Sequence, residues 1–152
     1  MKLRVYADTS VFGGCFDEEF LDYSTILIEQ FRTGDKLLTI SDLTLRELQN
    51  APKQVLEVYD SIPSQFMDFA VLDDETKFLA QKYIDEEAIS ERSLVDAQHI
   101  AIASINRVDV LVIWNFKHIV NFRRIQLYNA TNLKYGYPLI EIRSPREVLD
   151  ES

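Results

Sequence analysis

Four polar residues stand where an α/β chain would need them to do chemistry at one edge. Asp8 closes the apolar run Leu3, Val5, Ala7 and is followed by two hydroxyls, Thr9 and Ser10. Glu47 lies on a helical stretch, Leu43-Thr44-Leu45-Arg46-Glu47-Leu48, that leaves a second apolar run. Asp96 opens the most apolar helical stretch, Leu94 to Asn106, and Asn115 closes the apolar run Asp109 to Trp114. In a parallel sheet the strand ends and the starts of the following helices share one edge, and ligands bind there. Asp8 and Asn115 are therefore expected in one crevice. Asp96 faces it from a helix N-terminus, and Glu47 reaches it from about one turn into its helix.

Such a cluster needs a counter-charge. Two carboxylates about 4 Å apart repel by roughly 4 kcal/mol at an effective dielectric near 20. Three together must take up protons or hold a cation. Oxygen donors without Cys or clustered His select a hard ion, Mg²⁺ or Mn²⁺. A hard ion on carboxylates, with waters and phosphate oxygens completing its shell, is the arrangement that cleaves phosphodiesters. Each residue also has a plain structural reading. Asp8 caps the turn after its strand. Asp96 ends a capping box, Ser93-Leu94-Val95-Asp96. Glu47 is a surface acid, His99 a packed, hydrogen-bonded histidine, and Asn115 a turn residue.

The elements that would position these groups alternate between strand and helix. After the first strand, residues 11–22 read as a loop. A helix is expected from Ser24 to Arg32, stopped by Thr33-Gly34, then a buried strand from Lys36 to Ile40. Ser41 or Asp42 caps the helix that carries Glu47. Pro52 opens a further helix through Val55 to Tyr59. The apolar stretch Phe66 to Leu72 is ambiguous. Asp73-Asp74-Glu75 starts a helix to about Ala88, and Ser93 caps the next. Residues 117–135 read as helical or mixed, Leu139 to Ile142 as a last strand, and Ser144-Pro145 as the start of a terminal helix. This alternation predicts a parallel sheet covered on both faces.

The sequence has 152 residues, which suits one domain over 1–152, and is 47% hydrophobic and 27% charged. No apolar run reaches membrane-spanning length, and the first residues lack the apolar core of a signal peptide. A lone cysteine, Cys15, precludes an internal disulfide and suits a reducing cytoplasm. The net charge of −9 argues against a protein that grips nucleic acid over its whole surface. It leaves room for a local basic rim, for which Lys117, His118, Arg123 and Arg124 are the candidates, with an ordinary solvated helix face as the alternative.

The ordered set Val5-Tyr6-Ala7-Asp8-Thr9-Ser10, Leu43-Thr44-Leu45-Arg46-Glu47-Leu48, Leu94-Val95-Asp96-Ala97-Gln98-His99-Ile100-Ala101 and Val112-Ile113-Trp114-Asn115-Phe116-Lys117-His118-Ile119 resembles the PIN-domain nucleases, many small members of which look like VapC-type toxins. The resemblance implies a Rossmann-like, three-layer α/β/α sandwich with a mainly parallel central sheet. It also implies Mg²⁺- or Mn²⁺-dependent cleavage of RNA, an antitoxin partner and a homodimer. By position, Asp8, Glu47 and Asp96 match the acids that hold metal, and Ser10 matches a hydroxyl often near the site. Asn115 departs from a fourth position that is commonly acidic, and its neutral amide offers a carbonyl oxygen but no charge toward a second ion. The alternative is a PIN-like scaffold that binds RNA or a protein without cutting. A haloacid-dehalogenase-type phosphatase would want a second Asp two residues after Asp8, where Ser10 stands. A P-loop enzyme would want Gly-Lys-Ser/Thr after Gly13-Gly14.

Overall fold

The structure, a computed structural model, describes residues 2–114 and 119–150. Asn115, Lys117 and His118 lie outside the described residues. The apolar runs become five strands, β1 (Arg4–Ala7), β2 (Leu37–Ser41), β3 (Met67–Ala70), β4 (Val110–Val112) and β5 (Ile142–Arg143). They form one sheet in the order β3-β2-β1-β4-β5, with every neighbouring pair parallel. The central strand is β1. It pairs Val5 with Leu38 on one side and with Val110 on the other, and Ala7 with Val112.

Side chains on a strand alternate between faces, and the two cores follow that alternation. Val5, Ala7, Leu38, Ile40, Val110 and Val112 share one core with residues of α1 (Thr9–Gly14), α2 (Leu21–Thr33), α4 (Lys53–Asp60) and α8 (Pro145–Asp150). Tyr6 and Leu111 share the other with residues of α5 (Asp74–Asp85), α6 (Leu94–Ile105) and α7 (Phe122–Lys134). Helix α3 (Asp42–Gln49) sends Leu43 into the second core and Leu48 into the first. The result is the expected three-layer α/β/α sandwich. Parity along β1 puts Asp8 on the same side as Tyr6, toward α6.

Several local expectations are corrected. Residues 11–22 are not all loop: α1 begins directly after Asp8, and Val11 and Phe12 are fully buried on it. Gly14 is buried on this helix, and a Cβ there would collide with Ser24 Oγ and come within 2.8 Å of Trp114 Nε1, so only glycine fits. The stretch 66–72 resolves into the edge strand β3, which leaves Phe69 exposed. Helix α5 stops at Asp85, and the chain turns through Glu87 at φ 61°. The last strand is shifted to Ile142–Arg143, with Leu139 outside it and exposed. Ser93 stands at the N-cap of α6 but makes no side-chain capping bond, whereas Ser41 and Asp73 cap α3 and α5 through Thr44 and Thr76 backbone N–H groups.

Candidate functional site

Asp8 leaves β1 at the carboxyl edge of the sheet and is 7% exposed. It does cap α1. Its Oδ1 accepts from the Ser10 N–H at 2.8 Å and from the Ser10 hydroxyl. Ser10 Oγ in turn accepts from the Trp114 N–H at 3.1 Å, and the Asp8 N–H donates to Val112 O at 3.2 Å. The carboxylate is thus pinned between the ends of β1 and β4. These bonds use one oxygen; Oδ2 takes no hydrogen bond from any described residue. A capping role and a ligand role therefore sit on different atoms of one side chain.

Glu47 projects from α3 toward the same edge. Its Oε1 accepts from Thr9 Oγ1 at 3.0 Å and lies 2.7 Å from His99 Nε2. His99, about one turn beyond Asp96 on α6, is 1% exposed. Its Nδ1 lies 2.7 Å from the Tyr6 hydroxyl, and the two rings meet edge to face at 5.7 Å. The Tyr6 hydroxyl also lies 2.7 Å from Ser41 Oγ and 3.3 Å from Thr44 Oγ1. This buried chain joins β1, β2, α1, α3 and α6. The packed, hydrogen-bonded reading of His99 holds, but its partner is one of the candidate acids.

Asp96 is half-buried and accepts no hydrogen bond from any described residue. Because Ser93 forms no capping bond, capping does not account for it.

The electrostatics of the cluster follow from these contacts. Burial pushes the Asp8 carboxyl above its usual range, Glu47 adds to the rise, and His99 and the Ser10 hydrogen bonds offset only part of it. Burial raises Asp96 too, and the charges of Asp8 and Glu47 add to the rise against a lowering by His99. Glu47 goes the other way: burial works against its charge, but the hydrogen bond and charge of His99, with the Thr9 hydroxyl, hold it below the ordinary range. For His99, burial disfavours the imidazolium, yet the Glu47 hydrogen bond and the charges of Asp8, Glu47 and Asp96 outweigh burial and raise it. The acids are near enough to bias one another.

The donor set suits a hard cation in part. Among the described residues, no three His, Cys, Asp or Glu side chains are gathered to hold a metal ion. Two carboxylates, Asp8 and Asp96, carry oxygens not taken up by described residues, and both are pushed toward protonation. That fits Mg²⁺ chemistry, in which one or two carboxylates bind and waters and phosphate oxygens supply the rest. It does not fit a closed protein cage.

Of the expected basic rim, Arg123 is exposed, while Arg124 is half-buried and donates from Nη1 to Ala88 O at 2.7 Å. Tyr128, whose phenol burial pushes up, feels the charges of both Arg124 and Asp96. A groove of about 540 Å³ between α7 and β5, lined by residues such as Ile125, Leu133 and Ile142, contains none of the candidate acids. Sequence reasoning missed the Tyr6, Ser41 and Thr44 support behind Glu47. The available signals were a tyrosine inside an otherwise apolar strand and a histidine three residues after Asp96.

No protein-family model matches this sequence, and no curated protein matches it. Among solved structures, the fold is similar to a chain in the crystal structure of VapBC2 from Rickettsia felis bound to a DNA fragment from their promoter. The TM-score is 0.54 at 13% identity, covering 93% of this chain and 98% of that chain. This likeness shows the α/β architecture. No described helix is long and apolar enough to cross a membrane.

Proposed function

We propose that the protein is a Mg²⁺- or Mn²⁺-dependent ribonuclease that hydrolyses phosphodiester bonds at Asp8, Asp96 and Glu47, and that it is the toxin of a toxin–antitoxin pair. The observation that carries the reading is two carboxylates at the carboxyl edge of a parallel sheet, each with an oxygen that no described residue satisfies, and both raised first by burial and then by the charges of neighbouring acids. The fold's similarity to a VapBC2 chain, together with the ordered PIN-like motifs, supports the class.

Asp8 and Asp96 would hold the ion, and Glu47 would act on it directly or through water. When bound, the ion supplies Lewis-acid charge that makes water a better nucleophile and offsets charge building on the phosphate oxygens. Ser10 keeps the Asp8 carboxylate in one orientation. Thr9 bonds one oxygen of Glu47 and leaves the other for ion or water. Asn115, which follows Trp114, orients water or ion as an uncharged donor and acceptor. Arg123, Arg124, Lys117 and His118 contact RNA phosphates.

The test is a nuclease assay on mixed RNA and DNA, with and without Mn²⁺. Wild type cleaves RNA when the ion is present; Asp8→Asn folds but loses both cleavage and saturable Mn²⁺ binding by calorimetry. Full ion-dependent cleavage by Asp8→Asn contradicts the assignment. Expression of wild type, but not of Asp8→Asn, arrests growth.

A second reading, a scaffold that binds RNA or a protein without cutting, is favoured by the net charge of −9 and by the neutral Asn115 at a position commonly acidic in the PIN-domain nucleases. It requires wild type to show no Mn²⁺ binding that depends on Asp8.

A further inference from the structure

We infer that His99 is a positioning residue for Glu47, backed through its second ring nitrogen by the Tyr6 hydroxyl. The inference rests on the ribonuclease reading above and adds to it the device that fixes the third acid. A glutamate side chain has three rotatable bonds and ordinarily spends them in solvent. Here Oε1 is gripped from two sides, by Thr9 Oγ1 at 3.0 Å and His99 Nε2 at 2.7 Å. Both grips come from other elements, α1 and α6, so Glu47's direction does not depend on α3 alone.

The imidazole is itself held. His99 is 1% exposed, its Nδ1 meets the Tyr6 hydroxyl at 2.7 Å, and that hydroxyl is anchored by Ser41 Oγ at 2.7 Å. Tyr6 is fully buried on the central strand of the sheet. A purely structural histidine in an apolar helix would be satisfied by a backbone carbonyl or a neighbouring hydroxyl. This one turns its outer nitrogen to a carboxylate at the ligand-binding edge. Groups that orient a ligating or catalytic side chain by a hydrogen bond typically change affinity or activity about 10–100-fold when removed. Binding of RNA itself is served by other residues, so the loss belongs in the ion and in turnover, not in RNA affinity.

The experiment compares full-length wild type with His99→Leu, His99→Gln and Tyr6→Phe. Each is measured for Mn²⁺ affinity by calorimetry, for quenching of the single tryptophan, Trp114, by Mn²⁺, and for kcat and KM on single-stranded RNA. His99→Leu is expected to lower kcat or Mn²⁺ affinity about 10–100-fold, with KM for RNA changed less than about 2-fold. His99→Gln, which can still donate to Glu47, recovers most of that loss. Tyr6→Phe keeps the ring and shows a smaller loss of the same kind. In the metal-free protein, the His99 Nε2 proton is visible by nitrogen-edited NMR as a slowly exchanging, downfield signal that Glu47→Ala removes.

Folded His99→Leu with wild-type kcat and Mn²⁺ affinity overturns the inference and leaves the ribonuclease reading standing. If His99→Leu does not fold, equal losses in His99→Gln and Tyr6→Phe of RNA affinity and stability, without a selective loss of kcat or Mn²⁺ affinity, overturn it. Wild type that neither binds Mn²⁺ nor cuts RNA overturns the ribonuclease reading and this inference together.

Discussion

Two of the three acids, Asp8 and Asp96, are held against ionisation, and that has a pH signature. Asp8, Asp96 and His99 all have pKa values raised above their ordinary ones. A raised folded-state value means the folded protein binds protons more tightly than the unfolded chain. Its contribution to stability is complete below the unfolded pKa and is lost as pH climbs through the folded one. Glu47 is lowered, so its contribution is present above its unfolded value and is lost only as pH falls through the folded one. The metal-free protein should therefore have a higher Tm at about pH 5.5 than at about pH 8, a window that starts above the ordinary carboxylate range. Mn²⁺ should raise Tm more at the higher pH, where it replaces the missing protons. Calorimetric scans across that range check both; a Tm that rises with pH in the absence of metal contradicts the picture. At this scale the sequence was partly readable. Three acids at strand ends and helix starts announce a polar edge from type and spacing alone. His99 gives no such sign of its partner, because facing Glu47 depends on how α6 is rotated against α3, and packing decides that rotation.

The elements were legible where the apolar pattern was strong and not where it was short. The central strands β1, β2 and β4 announce themselves because parallel strands buried on both faces are continuous apolar runs. The edges do not: β3 has two exposed positions and β5 only two residues, so little of either is written as hydrophobicity. Helix α1 was hidden by its glycines. Gly14 reads as a breaker, yet it is there because α1 must press against Ser24 and Trp114. Gly14→Ala tests that packing. Its methyl group has to displace the Trp114 indole, which donates to Ser24 Oγ at 2.7 Å and stacks on Phe20 at 4.2 Å. Destabilisation of about 1–3 kcal/mol is expected from the overpacking, together with a red-shifted tryptophan emission. Denaturant unfolding followed by fluorescence measures both. Unchanged stability and emission would mean that α1 is not seated there.

At the scale of the whole molecule, a protein of net charge −9 has to hold RNA by few phosphate contacts if it is the proposed ribonuclease. Single-stranded binding loses about 0.7 in log K per decade of salt for each phosphate contact. Reversing Arg123 and Arg124 to Glu is expected to weaken RNA binding and flatten that slope by about 1.4, measured by fluorescence anisotropy across salt concentrations. No change in either quantity assigns both arginines to the solvated face and to the Ala88 carbonyl. Finally, the sheet order has a consequence for synthesis. The strand bearing Asp8 leaves the ribosome ahead of both of its neighbours, one of which follows about a hundred residues later. Until Val110–Val112 has emerged and docked, that first strand has no partner on one side and the Trp114 amide cannot reach Ser10. A nascent chain therefore carries its first acid without one wall of its crevice until about a hundred further residues have been made.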